Sequence, residues 1–106
     1  MGLAFKENCP DIRNSKVVDL VSQFSNYNCN VDIYDPWVDK SEAKHEYNLT
    51  LINKPNKNYY DLIVLAVAHK QFQELSVEEI KSYWKENHVL FDIKYVLSAA
   101  DTDGRL

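Results

Sequence analysis

The feature that most constrains this chain is an unbroken apolar run at residues 62–68, Leu-Ile-Val-Leu-Ala-Val-Ala. The run does not alternate apolar with polar residues, so it predicts a strand that is covered on both faces. Such strands belong to parallel sheets with helices packed on each side. At 106 residues, the chain has room for about one domain built in this way.

Helix and strand signals alternate around this run. Behind a capping Asn14 or Ser15, four apolar residues recur at the spacing of one helix face. They are Val17, Leu20, Val21 and Phe24. Short strands are predicted at residues 2–5, 31–34, 49–52 and 88–92. Helical turns are predicted at residues 41–47 and from Ser76, and Trp84 is expected on the apolar side of the second. Residues 98–106 are predicted to form a polar tail.

Composition excludes several classes of protein. The net charge is −4, from 12 basic and 16 acidic residues, and no basic stripe suited to nucleic acid is present. No apolar run reaches the ~20 residues of a membrane span, and no signal segment opens the chain, so we expect a soluble, cytoplasmic protein. Cys9 and Cys29 are too few for a disulfide scaffold, and no zinc-type spacing occurs.

Ligands of open parallel sheets bind beyond the carboxyl ends of the strands. Lys6 and Lys94 both follow predicted strands. Lys6 is suited to a phosphate, although a solvated surface lysine is the alternative. Arg13 precedes a helix N-terminus, where anions are favoured. A local surface pair between Asp11 and Arg13 is an equally good interpretation.

For two further residues at strand ends, His69 and Asp35, the sequence favours structural roles. His69 shows no acid–base partner in the sequence, so a structural histidine hydrogen-bonded to a loop is predicted. Asp35 stands before Pro36 and is interpreted as a turn residue. A ribose-binding role for Asp35 would need a glycine-rich turn after the first strand, and the chain has only two glycines.

Residues 2–17, Gly-Leu-Ala-Phe-Lys-Glu-Asn-Cys-Pro-Asp-Ile-Arg-Asn-Ser-Lys-Val, resemble the motif that opens the C-terminal domain of the UDP-glucose/GDP-mannose dehydrogenase family. The variant is similar to that of the UDP-N-acetylhexosamine dehydrogenases. Supporting matches follow at residues 34–37, 61–69, 91–94 and 105–106. The resemblance implies that residues 1–106 form one UDP-binding domain, a three-layer Rossmann-like fold with a mostly parallel sheet and a truncated first strand.

The resemblance also implies a function. The whole enzyme would be an NAD-dependent UDP-sugar 6-dehydrogenase of polysaccharide precursor biosynthesis, which oxidises the sugar C6 alcohol to a carboxylate. NAD and the catalytic cysteine would belong mainly to the N-terminal part, so this chain alone is not expected to be catalytically competent. By position, Phe5, Lys6 and Lys94 would contact the UDP-sugar, a UDP-N-acetylhexosamine, and Arg13 would contact the NAD pyrophosphate.

Other interpretations stay open at this point. The remainder of the dehydrogenase chain is the expected partner, but a free-standing nucleotide-binding or interaction module would use the same fold. A signalling receiver domain is disfavoured, because Phe5 and Lys6 stand where an acidic pair is needed. A truncated first strand exposes backbone groups that need partners, which predicts a looser strand or a homo-oligomer formed through that edge.

Overall fold

A computed structural model describes residues 1–94 and 101–105. The elements are α1 (Lys16–Asn26), α2 (Lys40–Tyr47), β1 (Tyr60–Leu65), α3 (Lys70–Gln73), α4 (Val77–Lys81), β2 (Trp84–Asp92) and β3 (Gly104–Arg105). The three strands form one parallel sheet in the order β1–β2–β3. The predicted α/β class with a parallel sheet is confirmed. None of the helices within the described ranges is long and apolar enough to cross a membrane.

The elements with the strongest local sequence signals are present as predicted. The Ser15 hydroxyl caps α1 by accepting from the Val17 N–H, and Asp39 caps α2 in the same way. The apolar run enters β1, which pairs with β2 from Leu62 opposite Val89 to Leu65 opposite Asp92. The last part of the run leaves the strand but stays largely in the interior.

Three predicted strands are wrong or much reduced. Residues 2–5 form no strand, because Gly2 takes φ +101° and turns the chain away from an extended path. Residues 31–34 and 49–52 meet only at one parallel bridge, between Ile33 and Leu51. An extended segment without neighbours on both sides has few hydrogen bonds to hold it in a regular strand.

The end of the chain also differs from the prediction. The helix that begins after Ser76 stops at Lys81, and Trp84, predicted on its apolar side, starts β2 instead. Gly104–Arg105 form the short strand β3, where a polar tail was expected. Residues 98–100 and 106 of the predicted tail lie outside the described residues. The short helix α3 was not predicted.

Most of the buried apolar residues in the described part of the chain fall into two clusters. The first packs around α1 and α2 and contains Leu3, Ile12 and Val21 among others. The second packs around β1, α4 and β2 and contains Leu65, Ile80 and Leu90 among others. Met1 and Gly2 lie between the clusters: the Met1 amine donates to the Val64 carbonyl, the Ala66 N–H donates to the Met1 carbonyl, and the Gly2 N–H donates to the Tyr34 carbonyl.

Candidate functional site

The Asp35 carboxylate binds the backbone of the loop that follows Gly2. Its Oδ2 accepts from the N–H groups of Leu3 (2.7 Å) and Ala4 (3.0 Å), and its Oδ1 accepts from the N–H of Trp37 (2.8 Å). A buried carboxylate requires such donors, since an unpaired charge in the interior is strongly unfavourable. Asp35 therefore fixes the start of the segment that carries Phe5 and Lys6.

His69 is the second partner of Asp35. Its Nε2 lies 2.8 Å from Asp35 Oδ2, and both side chains are fully buried. Its Nδ1 accepts from the Asn8 N–H at 2.9 Å, so Nδ1 is unprotonated and Nε2 carries the proton that His69 donates to Asp35. Trp37 stacks on the imidazole at 6.1 Å between ring centroids. The predicted structural histidine, hydrogen-bonded to a loop, is confirmed.

The charge of Asp35 is maintained by its neighbours. Burial acts to raise the pKa of Asp35, but hydrogen bonds from His69 and from the N–H groups of Leu3, Ala4 and Trp37 outweigh it and hold the pKa below its ordinary value. The interpretation of Asp35 as only a turn residue is therefore too narrow. The bond to Trp37 does form the turn before Pro36, yet the other oxygen links segments more than 30 residues apart.

Asn8 fixes the far end of the same loop. It adopts φ +54°, a conformation that asparagine tolerates better than most residues. Its side-chain oxygen accepts from the Lys70 N–H at 2.7 Å, which satisfies one of the free N–H groups at the start of α3. In addition, the Ser15 hydroxyl donates to the Leu3 carbonyl at 2.6 Å. Residues 3–8, called here the 3–8 loop, are thus held at both ends.

Phe5 and Lys6 project from the middle of this fixed loop. The Phe5 N–H donates to the Asp11 carbonyl at 2.7 Å, yet its side chain is 55% exposed, and Lys6 is also exposed. An exposed phenyl ring and an exposed ammonium group side by side on a fixed backbone can bind a flat ring and an anion. The structure brings together these two sequence-predicted residues.

Arg13 lies just beyond the 3–8 loop and forms a pair with Asp11. Arg13 Nε lies 3.1 Å from Asp11 Oδ1, and Nη2 lies 3.1 Å from Oδ2. The hydrogen bond from Arg13 lowers the pKa of Asp11, and the same pairing raises the pKa of Arg13. The guanidinium remains 81% exposed, so one side of it stays open to a second anion.

Lys94 follows the carboxyl end of β2, two residues after the buried Asp92. Its N–H donates to Asp92 Oδ1 at 3.1 Å, and its side chain is exposed. β1 and β2 are parallel, so Lys94 lies at the same edge of the sheet as the segment that leads from β1 to His69. In residues 1–94 and 101–105, no hydrogen bond or ion pair joins Lys94 to Phe5, Lys6 or Arg13.

Sequence reasoning missed Asn8 and the pairing of Asp35 with His69. The three residues are distant in the sequence, and no local pattern links them. One signal was available, because an asparagine in a short loop is a common choice for a left-handed backbone conformation. Among the described residues, five asparagines take positive φ, including Asn8 and Asn14.

Comparisons with known proteins agree with this architecture. Residues 1–99 match the model of the UDP-glucose/GDP-mannose dehydrogenase family, UDP binding domain. Over its whole length the chain is 50% identical to the UDP-N-acetyl-D-glucosamine 6-dehydrogenase of Pseudomonas aeruginosa and 46% identical to the enzyme of the same name from Salmonella typhi. Each match covers 25% of the longer protein. The chain thus spans about a quarter of the length of these curated relatives.

A solved structure shows the same fold. It is a derivative structure of the UDP-N-acetyl-mannosamine dehydrogenase Cap5O from S. aureus, with a TM-score of 0.71 and 22% sequence identity. The match covers 98% of this chain and 24% of that one. On the extent of the family match and the identity to the curated relatives, the chain belongs to the UDP-glucose/GDP-mannose dehydrogenase family, in its UDP-binding domain.

Proposed function

We propose that this chain is the UDP-binding, C-terminal part of an NAD-dependent UDP-sugar 6-dehydrogenase that acts on a UDP-N-acetylhexosamine. The observation that carries the proposal is the 3–8 loop, which is fixed at both ends and exposes Phe5 and Lys6. The names of the relatives support the substrate class, since they refer to UDP-N-acetyl-D-glucosamine and UDP-N-acetyl-mannosamine.

Each exposed residue has a role in this proposal. The Lys6 ammonium pairs with the diphosphate, and Lys94 adds a second positive charge from the end of β2. The Phe5 ring packs against the nucleotide, as aromatic side chains do with bases. Because hydrogen bonds already fix the loop backbone, little conformational entropy is lost when the ligand binds.

The oxidation itself belongs to a longer chain in this proposal. The residues of this chain do not fit a complete NAD site, because its two glycines cannot make a glycine-rich dinucleotide turn. Arg13 is the residue that we propose contacts the NAD pyrophosphate, through the exposed side of its guanidinium. When bound, NAD supplies the hydride acceptor for the C6 alcohol, while Phe5, Lys6 and Lys94 hold the nucleotide end of the substrate. The cytoplasmic location stays a prediction.

The test is the affinity of the chain for UDP, measured by NMR titration on the wild type and on Lys6→Ala. We expect weak binding by the wild type, because the chain holds only part of the ligand contacts, and a loss of about tenfold in Lys6→Ala, as for a charge-assisted contact. Lys54→Ala is the matched control, since it also removes an exposed positive charge, from a turn outside the 3–8 loop. Equal losses in both variants would contradict the proposed site.

A further inference from the structure

The two ring nitrogens of His69 bind two different segments of the chain. Nε2 donates to Asp35 Oδ2 at 2.8 Å, and Nδ1 accepts from the Asn8 N–H at 2.9 Å. The imidazole is fully buried, so water does not compete for either nitrogen. Only the neutral ring with its proton on Nε2 can form both hydrogen bonds.

Protonation of His69 keeps one of these hydrogen bonds and breaks the other. The protonated ring still donates from Nε2 to Asp35, and the two side chains become an ion pair. Nδ1 then carries a hydrogen that points at the Asn8 N–H, so two donors face each other at 2.9 Å. Asp35 stays charged during this change. Burial acts to raise the pKa of Asp35, but its hydrogen bonds outweigh burial and hold the pKa below its ordinary value.

The hydrogen bond that protonation breaks is the one that fixes the 3–8 loop at Asn8. This residue has φ +54°, a conformation that persists only where surrounding contacts hold it. Lys6 lies two residues before Asn8, and Glu7 between them is exposed. When the Asn8 N–H loses its acceptor, Asn8 can leave this conformation, and the backbone from Lys6 to Asn8 is no longer fixed. The contact between the Asn8 side chain and the Lys70 N–H is exposed and does not replace the lost one.

The surroundings of the imidazole provide a counter-charge for the protonated ring. Asp35 is the charged group that bonds to it, and Trp37 and Phe72 contact it with ring centroids at 6.1 and 5.4 Å. Tyr34 packs against Phe72, and burial lowers the pKa of the Met1 amine to about 6 against the attraction of Asp35. Exposed side chains carry the charges of the 3–8 loop and of residues 70–74, namely Lys6, Glu7, Lys70 and Glu74.

From this geometry we infer that His69 is a positioning residue whose protonation releases the 3–8 loop and so weakens nucleotide binding as the pH falls. The neutral ring holds Asn8 and thereby fixes the backbone that carries Lys6, whereas the protonated ring holds only Asp35. The effect on the nucleotide rests on the proposed function, but the release of the loop does not. Histidine is the side chain that ordinarily changes charge between about pH 5 and pH 8.

His69→Gln separates the two hydrogen bonds from the proton. The glutamine amide carries a donor and an acceptor separated by one carbon atom, as the two ring nitrogens are, so it can bind Asp35 and Asn8 together. The amide does not take up a proton in this pH range. The 3–8 loop of this variant should therefore stay fixed while that of the wild type is released.

The first measurement is amide hydrogen exchange without ligand from about pH 8 to about pH 5, relative to an unstructured chain at each pH. In the wild type, the protection of the Asn8 amide should fall by about tenfold or more, because this N–H loses its acceptor. The ¹⁵N shifts of the His69 ring should report protonation over the same range. The Ile93 N–H, which donates to the Leu65 carbonyl at 3.0 Å, is the control for general unfolding and should stay protected.

The second measurement is the affinity for UDP at both ends of this pH range. The wild type should lose at least about fivefold more affinity than His69→Gln, a factor typical of coupling between two sites. The terminal phosphate of UDP and the Met1 amine also titrate in this range. Both contribute to the two proteins alike and cancel in the ratio.

Loss of Asn8 protection together with protonation of His69 in the wild type supports the inference, even if His69→Gln does not fold. A ring that stays neutral down to about pH 5 overturns it, as does a protonated ring beside a protected Asn8 amide. An equal loss of Asn8 protection in His69→Gln also overturns it. If neither protein binds UDP at about pH 8, the proposed function fails together with the regulation of binding, and the exchange data still decide whether His69 releases the loop.

Discussion

The two ends of the gap between residues 31–35 and β1 are built in opposite ways. At the carboxyl end, the side chains of Asp35 and His69 are fully buried, and their contacts with Leu3, Ala4 and Asn8 connect distant segments. At the amino end, the gap opens into a groove flanked by half-buried apolar side chains, and Asp32 is exposed with one hydrogen bond from the Tyr60 hydroxyl. The difference indicates that buried hydrogen bonds between distant segments fix the first end, whereas the side chains at the second end are less buried.

The largest contrast between the ends is expected from their two aspartates. Asp35→Ala leaves the N–H groups of Leu3, Ala4 and Trp37 and the imidazole of His69 without an acceptor, so we expect a loss of about 3–5 kcal/mol of unfolding free energy. Asp32→Ala removes one exposed contact, and we expect about 0.5 kcal/mol. Urea unfolding of both variants measures the difference. Similar losses would remove the distinction between the two ends.

A second contrast concerns leucines of the two regions. Leu3 is fully buried in the first cluster, so Leu3→Ala should cost about 3 kcal/mol through the cavity that it leaves. Leu20 lies half-buried at the groove, and Leu20→Ala should cost about 1 kcal/mol. Urea unfolding of the two variants measures both costs. A cost for Leu20→Ala as large as that for Leu3→Ala would show that the two regions are equally well packed.

The smallest effect is a pH dependence from the Met1 amine. Its pKa is about 6 in the folded chain and near 8.0 when unfolded, so the folded state binds fewer protons between these values. Stability should therefore increase by about 2 kcal/mol as the pH rises from 6 to 8. Charged groups near the amine are Asp35, which attracts it, and Asp32, Asp61 and Lys85, which line the groove.

The control for this pH dependence is a variant with one alanine added before Met1. A peptide group then replaces the buried amine, and the increase between pH 6 and 8 should largely disappear from the difference between the two unfolding profiles. Histidines contribute equally to both proteins and cancel in that difference. Parallel profiles would show that the amine does not titrate with the shifted pKa.

Local patterns predicted much of the fold. The spacing of Val17, Leu20 and Val21 behind Ser15 identified α1, and the apolar run identified β1, because these signals lie within single elements. The strand predicted at residues 2–5 failed for a non-local reason. The N–H groups of Leu3 and Ala4 bond to Asp35 rather than to a neighbouring strand, and Gly2 turns the chain before them.

The candidate site was predictable only in part. Phe5 and Lys6 were proposed from the resemblance, and Lys6 also from its place after a predicted strand, and their binding roles stay predictions. The contacts that hold their loop could not be predicted from the sequence, because His69 lies 34 residues from Asp35 and 61 residues from Asn8. Burial of a histidine–aspartate pair depends on which segments the fold brings together, and no spacing within one element encodes it.

Nucleotide binding by the 3–8 loop is tested most directly by a map of amide chemical shifts on titration of the wild-type chain with UDP. We predict that shifts concentrate at the carboxyl end of the gap, at Phe5, Lys6 and Lys94, and that Leu20 and Leu62 at the opposite end do not respond. Shifts centred on the groove, or no shifts at UDP concentrations of about 10 mM, where ligands weaker than millimolar still bind, would contradict the claim that the fixed 3–8 loop binds the nucleotide.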